Sequence, residues 1–571
     1  MPEAAASPLG EVLRLLRSRG FKPSGHRRGT RSFDGKLPCK GGPIKVRLSI
    51  TDWDFLTYPS IKVLDHLDVL PALSPHVYAS GGLCYFASGA VVLDRYDPAE
   101  SIAQCLDQAQ LVLERIRHDP NFRHHDIQDE FLQHWSHGES SAVYPVLIGT
   151  VDRTTKSSNY WFLNIADVSH AVVADSKEEV EVLAVALGTK PLTETKCPCW
   201  LFATETLPAV PQAMPTTVKE LFAWLQAWDR QLYQQIQLVL ERETQYLKYS
   251  IATFAIHTPL GWLGFGFDLD PMHRLGAAKK PKLYRQFLHT RGGTRKISRL
   301  AITAFGPDFV HSRNLTFPDL KGKKITVVGC GAVGSHIAPG LIRLGAGTGK
   351  GRLDLVDHDD MKPENLGRHV LGYPALFKRK ADALAEELKR QFPFSKVRSR
   401  VRSAQGLPDL FDADLVIDAT GEEIVSELIN AMRLDRGTDT PVLHVRIRGN
   451  GECVQTFWAQ GRQLGCFRCL LQADHKNYRQ ERFPVLKEQP KRKQLGCSGF
   501  TPYAVSAPMS AAALCMEAVV DWLQSGRASP RFRTSATANA NVYGVKNQDV
   551  SRLAACPACG PRDAQATAVR S

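Results

Sequence analysis

A glycine-rich segment that joins a short apolar strand to a helix constrains this sequence more than any other feature. Residues 324–328 have the character of a buried strand and run into Gly329-Cys-Gly331-Ala-Val-Gly334, after which an amphipathic helical stretch follows. Glycines at such a junction permit a tight turn and let backbone amides approach a phosphate at the helix N-terminus. The segment therefore predicts a nucleotide-binding turn on a parallel sheet.

The pattern around this turn supports a parallel sheet. Short apolar strands alternate with helical stretches from residue 320 onward, at 325–328, 353–356, 397–401, 415–417 and 442–445. Such alternation is typical of parallel strands connected by crossover helices. We therefore expect an α/β domain in this part of the chain.

The length of the chain predicts several domains. Its 571 residues exceed the roughly 100–200 residues of a typical domain, so we expect three or four domains. Residues 1–140 have the pattern of an α+β unit, with strands at 45–50 and 61–64 and a helix at 102–116. Residues 141–310 contain predicted strands at 143–151 and 161–165 and a predicted helix at 217–248. Residues 311–571 form the α/β domain.

Charged residues after the second predicted strand favour phosphate chemistry. Asp357 ends that strand, where a carboxylate can bind the ribose of NAD or of ATP. Asn365, Arg368 and Lys380 follow in order. Arg and Lys are the donors expected where negative charge develops during adenylation. The Asp-x-Asp and Asn-Leu-x-Arg patterns resemble the ATP site of the ubiquitin-activating superfamily, which includes the MoeB and ThiF adenylyltransferases.

This resemblance implies a role for each matching residue. Asp357 would bind the ribose, Asn365 and Arg368 the phosphates, and Lys380 the α- or β-phosphate, with Lys378 as a competitor for the last role. The family places a Mg²⁺-binding Asp after the fourth strand, but Gly421 occupies that position here. Either Asp418 or Glu422 would then hold the ion.

An arginine of a partner subunit completes the site in this family. The resemblance therefore implies a homodimer, and Arg299 and Arg313 are the candidates for that arginine.

Two Cys-x-x-Cys pairs predict a metal site in the α/β domain. Four thiolates at such spacing suit a closed tetrahedral Zn²⁺ site that stabilises the fold. The four residues are Cys466, Cys469, Cys556 and Cys559. The same pairs are characteristic of the MoeB/ThiF branch.

Two further cysteines are candidate nucleophiles. Cys497 precedes a helix, and in the resembled family a loop at this point bears the cysteine that takes the acyl group from the adenylate; Lys491, Arg492 and Lys493 would favour its thiolate. Cys84 lies in a glycine-bearing loop after the N-terminal strands. The order of elements there resembles ubiquitin-conjugating domains, in which such a cysteine accepts the activated carboxyl as a thioester. The remaining alternative for both residues is an ordinary loop or packing thiol.

The combination of these features resembles the bacterial two-in-one conjugating and activating proteins of CBASS anti-phage operons. The resemblance implies an N-terminal ubiquitin-conjugating-like domain, an inactive adenylation-like α/β domain in the middle, and an active ThiF-type domain with a four-cysteine zinc site. It further implies ATP, Mg²⁺ and Zn²⁺ as cofactors. The substrate would be the C-terminal tail of a CD-NTase cyclic-oligonucleotide synthase, which is ligated to a lysine of a target protein.

Three other functions remain open on the sequence. A sulfur-carrier adenylyltransferase would stop at the adenylate, an NAD-dependent oxidoreductase would use the same glycine turn, and a nucleic-acid-binding scaffold would use the basic run at 279–313. The net charge of +14 is compatible with any polyanionic partner, although we do not expect nucleic acid. Because the start carries no secretory pattern and the apolar stretch at 250–267 is interrupted by His257, Pro259 and glycines, we expect a cytoplasmic protein without a membrane span.

Overall fold

The computed structural model describes residues 8–78, 80–136, 143–151, 156–472, 480–495 and 498–560. The chain divides into two compact units. The first comprises Met1–Val180 and Thr189–Ala304, and the second comprises Glu181–Gly188 and Phe305–Ser571. Among the described residues, no helix combines the length and apolar character that crossing a bilayer requires.

The first unit begins with an antiparallel sheet of five strands in the order β1-β2-β3-β4-β5. Its elements are α1 (Pro8–Ser18), β1 (Lys22–Arg27), β2 (Thr30–Leu37), β3 (Ile44–Ile50), β4 (Ser60–Val63), α2 (His66–Val69), β5 (Gly82–Leu83), α3 (Pro98–His118), α4 (Pro120–Asp129) and α5 (Phe131–Ser136). These bounds confirm the N-terminal strands and the helix expected at 102–116.

Strand β3 shows why this sheet forms. Ile44, Val46, Leu48 and Ile50 are fully buried, whereas Lys45 and Arg47 between them are exposed. This alternation follows from the two-residue period of a strand with one face on the core. Helix α3 begins where Asp97 accepts a hydrogen bond from the Glu100 amide, 3.0 Å away. Its apolar face completes the core over the sheet.

The rest of the first unit is built on seven strands that close into a barrel in the order β10-β11-β12-β6-β8-β7-β9. The elements in this stretch of the chain are β6 (Val143–Ile148), β7 (Lys156–Ile165), β8 (Val168–Ala174), α6 (Lys177–Ala186), β9 (Pro191–Ala203), α7 (Val218–Trp228), α8 (Arg230–Arg242), β10 (Ile251–Thr258), β11 (Gly261–Asp268), α9 (Pro271–Ala277), α10 (Pro281–Leu288) and β12 (Ser298–Ala304). The division into units falls within α6, whose residues from Glu181 onward belong to the second unit. The apolar stretch at 250–267 is thus a β-hairpin.

The single helix expected at 217–248 is two helices, so this expectation is wrong. Asp229 ends α7 and begins α8, and its carboxylate accepts hydrogen bonds from the amides of Gln231 (2.9 Å) and Leu232 (3.0 Å). A side chain that satisfies these free amides starts a new helix at this point.

The second unit contains a seven-stranded sheet in the order β15-β14-β13-β16-β17-β18-β21. Its elements are α11 (Pro307–Ser312), β13 (Lys324–Val328), α12 (Ala332–Arg343), β14 (Arg352–Val356), α13 (Lys380–Gln391), β15 (Val397–Arg400), β16 (Leu415–Asp418), α14 (Glu423–Arg436), β17 (Val442–Arg448), β18 (Cys453–Ala459), β19 (Lys493–Leu495), β20 (Ser498–Phe500), α15 (Ser506–Ser525) and β21 (Phe532–Ala536).

The first five strands of this sheet are parallel and confirm the expected α/β domain. Strands β18 and β21 extend it in antiparallel orientation and were not expected. In chain order the parallel strands run 3-2-1-4-5, so the order reverses beside β13. Ligands of open α/β sheets bind outside the carboxyl ends of the strands at such a reversal.

Candidate functional site

The glycine turn after β13 has the geometry that the sequence predicts. Gly329 has a φ of +91°, a conformation that glycine adopts without strain. A Cβ atom at Gly334 would lie 1.8 Å from the Gly329 carbonyl oxygen, so a side chain there is incompatible with the turn. Helix α12 begins directly after Gly331. Its free amides can bind an anion at this end of the sheet.

A cavity of about 520 Å³ lies over this turn. The residues that line it include most of the predicted nucleotide-binding set, namely Gly329, Gly331, Asp357, Asn365, Arg368 and Lys380. The Asp357 carboxylate accepts hydrogen bonds from the amides of Cys330 (2.7 Å) and Asp359 (2.8 Å). Asp357 therefore joins the glycine turn to the segment that carries the basic residues.

The basic side chains of the cavity are held by specific partners. Lys380 is buried and its Nζ lies 2.9 Å from Asp359 Oδ2, and this contact lowers the pKa of Asp359. The Arg368 guanidinium lies 5.6 Å from the centre of the Tyr503 ring. Together with Arg402, these side chains line the cavity with positive charge, where an anionic group such as a phosphate would bind.

The Asn365 and His369 side chains form hydrogen bonds with backbone groups near the cavity. Asn365 Oδ1 accepts a hydrogen bond from the Lys362 amide at 2.9 Å. His369 Nε2 lies 2.8 Å from the Cys330 carbonyl oxygen, and His369 Nδ1 accepts a hydrogen bond from the Leu371 amide at 3.0 Å. Burial lowers the pKa of His369, which favours the neutral ring that these two partners require.

Asp418 lies beneath the cavity and not among the residues that line it. Its side chain is 1% exposed and accepts hydrogen bonds from Thr420 Oγ1 (2.7 Å), His444 Nδ1 (2.8 Å) and Ser426 Oγ. Burial acts to raise the pKa of Asp418, but these donors outweigh it and lower the pKa. Glu422, in contrast, is exposed and lines the cavity.

Several cavity residues carried no sequence signal. Arg402 follows β15, Pro490 precedes β19, and Tyr503 precedes α15, so all three are remote in sequence from the glycine turn. Of these three, only Arg402 was predictable, because it follows the carboxyl end of a parallel strand, where ligands of open α/β sheets bind. Tyr503 and Pro490 are brought in by the segment around Cys497.

Cys497 itself lies outside the described residues. The segments on either side of it form the hairpin β19–β20, in which Lys493 pairs with Phe500. Phe500 and Thr501 line the cavity. The chain therefore enters the nucleotide cavity three residues after Cys497.

The four paired cysteines lie together. Their sulfur atoms are all within 4.8 Å of one another, and the Cys466–Cys556 and Cys469–Cys559 distances are 3.9 and 3.5 Å. A tetrahedral ion with bonds of about 2.3 Å would place its ligand sulfurs about 3.8 Å apart. All four residues are buried. The geometry therefore fits a closed metal site. Cys453 and Cys515 are also buried.

Cys84 follows β5 and is half-buried. Its amide donates to the His76 carbonyl oxygen at 2.8 Å, and its Sγ lies 3.6 Å from the Phe86 carbonyl oxygen. Burial, together with the negative charge of Glu130, raises the pKa of the Cys84 thiol. The thiol is thus reachable but protonated at neutral pH.

The two arginines considered for the partner position differ in exposure. Arg299 is 2% exposed and lies within the barrel strand β12, 5.9 Å from the Trp135 ring. Arg313 is exposed at the end of α11. Of the two candidates, Arg313 is therefore the exposed one.

Comparison with known proteins agrees with this arrangement. Residues 302–555 match the ThiF family and residues 14–144 match the prokaryotic E2 family B. A Pseudomonas aeruginosa protein named ATP-dependent ubiquitin transferase-like protein Cap2 is 31% identical over 97% of this chain and 99% of its own length. A Vibrio cholerae protein of the same name is 26% identical over 85% and 87%. The structure of Escherichia coli MccB with ATP covers 42% of this chain and 68% of its own, with 20% identity and a TM-score of 0.32.

The glycine turn, the charged cavity and the two family matches define an adenylating enzyme joined to a conjugating-like domain. More particularly, the chain belongs to the Cap2 family of ATP-dependent ubiquitin transferase-like proteins. It is therefore an enzyme that activates its substrate with ATP for conjugation.

Proposed function

We propose that this protein adenylates the C-terminal carboxylate of a partner protein, relays the acyl group through Cys497 and Cys84, and ligates it to a lysine. The observation that carries the proposal is the cavity, because it brings the glycine turn, Arg368 and Lys380 together with the residues that flank Cys497. Proximity of the adenylate to a nucleophile is what such a relay needs.

The first step joins the substrate to AMP. A carboxylate oxygen attacks the α-phosphorus of ATP, and the bond to the leaving pyrophosphate breaks. Arg368 and Lys380 stabilise the charge that develops on the phosphates, while the amides after Gly331 bind the triphosphate. Asp357 binds the ribose through the lone pairs that its backbone contacts leave free.

Magnesium would be held by Glu422 at the rim of this cavity. Its carboxylate is exposed to the cavity, whereas Asp418 is already engaged by Thr420, Ser426 and His444. Mg²⁺ is bound through one or two carboxylates and the substrate phosphates in sites of this kind, and it neutralises phosphate charge. Asp418 would then act indirectly, by fixing the turn that leads to Glu422.

The relay then moves the acyl group between sulfur atoms. The Cys497 thiolate attacks the acyl carbon and AMP leaves; the Cys84 thiolate attacks the resulting thioester and Cys497 leaves. A lysine amine finally displaces Cys84 and forms an isopeptide bond. Each covalent step divides a difficult condensation into easier ones. Zinc at Cys466, Cys469, Cys556 and Cys559 would stabilise the second unit without taking part.

The partner follows from the resemblance to CBASS conjugating proteins. We propose a CD-NTase cyclic-oligonucleotide synthase as the substrate, and a homodimer in which Arg313 completes the neighbouring nucleotide site. Arg313 supports this because it is exposed, while Arg299 is buried near the Trp135 ring.

Purified protein, a CD-NTase and ATP test the whole scheme. We expect thioester adducts that added thiols release. Cys497→Ala should lose all of them, whereas Cys84→Ala should keep the thioester on Cys497 and lose the isopeptide product. Cys197→Ala is the control, because Cys197 is half-buried at a strand of the first unit and has no role in the relay. Adducts that persist in both variants would refute the relay. If adenylate forms and the final product does not require Cys84, the sulfur-carrier alternative is favoured. If NAD and not ATP raises the melting temperature, an oxidoreductase is favoured.

A further inference from the structure

Two carboxylates contact the imidazole of His76, a residue whose backbone is hydrogen-bonded to that of Cys84. His76 Nε2 is 2.9 Å from Asp126 Oδ2, and His76 Nδ1 is 3.5 Å from Glu130 Oε1. Asp126 and Glu130 are four residues apart at the end of α4, so they project from the same side of the helix. The His76 carbonyl oxygen accepts the Cys84 amide at 2.8 Å. His76 therefore connects the backbone of Cys84 to both carboxylates.

The backbone of His76 is adapted to this double contact. Its φ is +60°, in the left-handed region that residues other than glycine rarely adopt. Such conformations persist where surrounding contacts fix them and are frequent at functional sites. The ring contacts on α4 and the carbonyl contact to Cys84 are the fixing interactions here.

Of the two carboxylates, Glu130 is the one available to a substrate. Its side chain is 42% exposed, whereas Asp126 and His76 are 24% and 22% exposed. Among the described residues, His134 on α5 also contacts Glu130, with its Nε2 3.9 Å from Glu130 Oε2, and the exposed His125 contacts Asp126 and Asp129. Glu130 also raises the pKa of the Cys84 thiol, in addition to the effect of burial.

A negative charge at this place opposes the loading of Cys84, because it disfavours the thiolate. The same charge favours a cation that approaches the sulfur. The cation that must approach is the acceptor lysine, whose amine is protonated at neutral pH because its ordinary pKa is about 10.4. That ammonium cannot attack a thioester until it has lost a proton.

We propose that Glu130 is a catalytic residue of the final transfer, which binds the ammonium of the acceptor lysine and takes its proton, while His76 and Asp126 position it. This assignment rests on the proposed function, in which Cys84 carries the acyl group. The proton passes from the ammonium to the Glu130 carboxylate. The amine nitrogen then bonds to the acyl carbon, the carbon–sulfur bond breaks, and the Cys84 thiolate leaves and recovers that proton from Glu130. Glu130 next takes the second proton from the attacking nitrogen and releases it to solvent, so that a neutral amide remains.

A two-stage assay on the full chain separates loading from discharge. A fluorescent peptide supplied as a mercaptoethanesulfonate thioester charges Cys84 by thiol exchange without ATP, and Cys84→Ala gives the background from other cysteines. Free lysine then discharges the peptide. In Glu130→Gln we expect loading to be undiminished and discharge to lysine at neutral pH to fall about 10²-fold, the lower range for general base catalysis. Asp129→Asn, at a side chain that is 68% exposed on the same helix, is the matched control and should match the unaltered protein.

Two further readouts distinguish catalysis from a structural effect. Hydroxylamine is uncharged at neutral pH and needs no base, so its discharge rate should be equal in Glu130→Gln and the unaltered protein. Raising the pH should restore lysine discharge in Glu130→Gln, and Glu130→Asp should retain part of the activity. Lysine discharge within twofold of the unaltered protein, or an equal fall with both amines, would overturn the assignment. The peptide thioester loads Cys84 without ATP or Cys497. A failure of the ATP-dependent relay can therefore be distinguished from a failure of the Glu130 assignment.

Discussion

At the scale of single residues, Gly334 leaves less room for a side chain than the other glycines in the described part of the chain. A Cβ atom there would overlap the Gly329 carbonyl oxygen, with a separation of 1.8 Å. We expect Gly334→Ala to distort the phosphate-binding turn and to abolish stabilisation by ATP, which for a competent site is about 2.7 kcal/mol at a hundredfold excess over the Kd. Thermal denaturation with and without ATP measures this. Gly544→Ala is the control, since no atom lies near its Cβ position, and equal ATP stabilisation in both variants would contradict the prediction.

His369 predicts a pH dependence of stability. Burial lowers its pKa below the ordinary value of 6.5, so the unfolded chain binds a proton in acid that the folded chain excludes. Titration of His369 therefore leaves the free energy of unfolding unchanged above pH 6.5 and lowers it progressively as the pH falls below this value. We expect His369→Gln to lose less stability than the unaltered protein between pH 7.5 and 5.5 in urea denaturation. His358→Gln, at a side chain that is 69% exposed, should show the same pH dependence as the unaltered protein.

The cavity residues that lie in one continuous motif were predictable from the sequence. Those that come from distant parts of the chain were not. Asp357, Asn365 and Arg368 occur within twelve residues of one another, so their order alone identifies them. Tyr503 reaches Arg368 from a segment 135 residues later, and no local pattern records that approach. The burial of Asp418 is likewise a property of the neighbouring strand, because His444 on β17 supplies one of its donors.

At the scale of elements, the boundary between α7 and α8 depends on Asp229. Its carboxylate satisfies two free amides of α8 and also accepts a hydrogen bond from Thr204 Oγ1 at 2.6 Å. We expect Asp229→Ala to reduce the free energy of unfolding of the first unit by about 1–2 kcal/mol, the upper range for loss of an N-cap. Urea denaturation followed by tryptophan fluorescence measures it. Gln234→Ala, at an exposed position of α8, should change stability little, and an equal effect of the two substitutions would count against the cap.

The boundary between α7 and α8 was not predictable from the apolar periodicity of the sequence. Leu225, Leu232 and Ile236 keep an apolar spacing across Asp229, so the sequence reads as one helix. The parallel strands were predictable because each is a short buried run. The barrel was not, because its closure pairs β12 with β6, whose residues Arg299 and Val143 are distant in sequence. Strand patterns specify which residues extend but not which distant partner they find.

At the scale of the whole molecule, the proposed zinc site links the stability of the second unit to metal content. We expect one Zn²⁺ per chain by elemental analysis, and a strong chelator should lower the melting temperature, because metal binding contributes to folding free energy. Cys556→Ser should release the metal, whereas Cys197→Ser, in the first unit, should not. A chain free of metal with an unchanged melting temperature would contradict this assignment.

The four-cysteine cluster brings together two parts of the chain that are distant in sequence. Cys466 and Cys556 are 90 residues apart in sequence and in contact in space. With an ion bound, the intervening chain, which carries Cys497 and α15, becomes a closed ring in the sense of polymer physics. A cross-link over a loop of about 100 residues removes roughly 4.7 kcal/mol of conformational entropy from the unfolded state in the chain-entropy account. A protease that cuts this ring once would leave both fragments attached through the ion, so that only denaturation with a chelator would separate them.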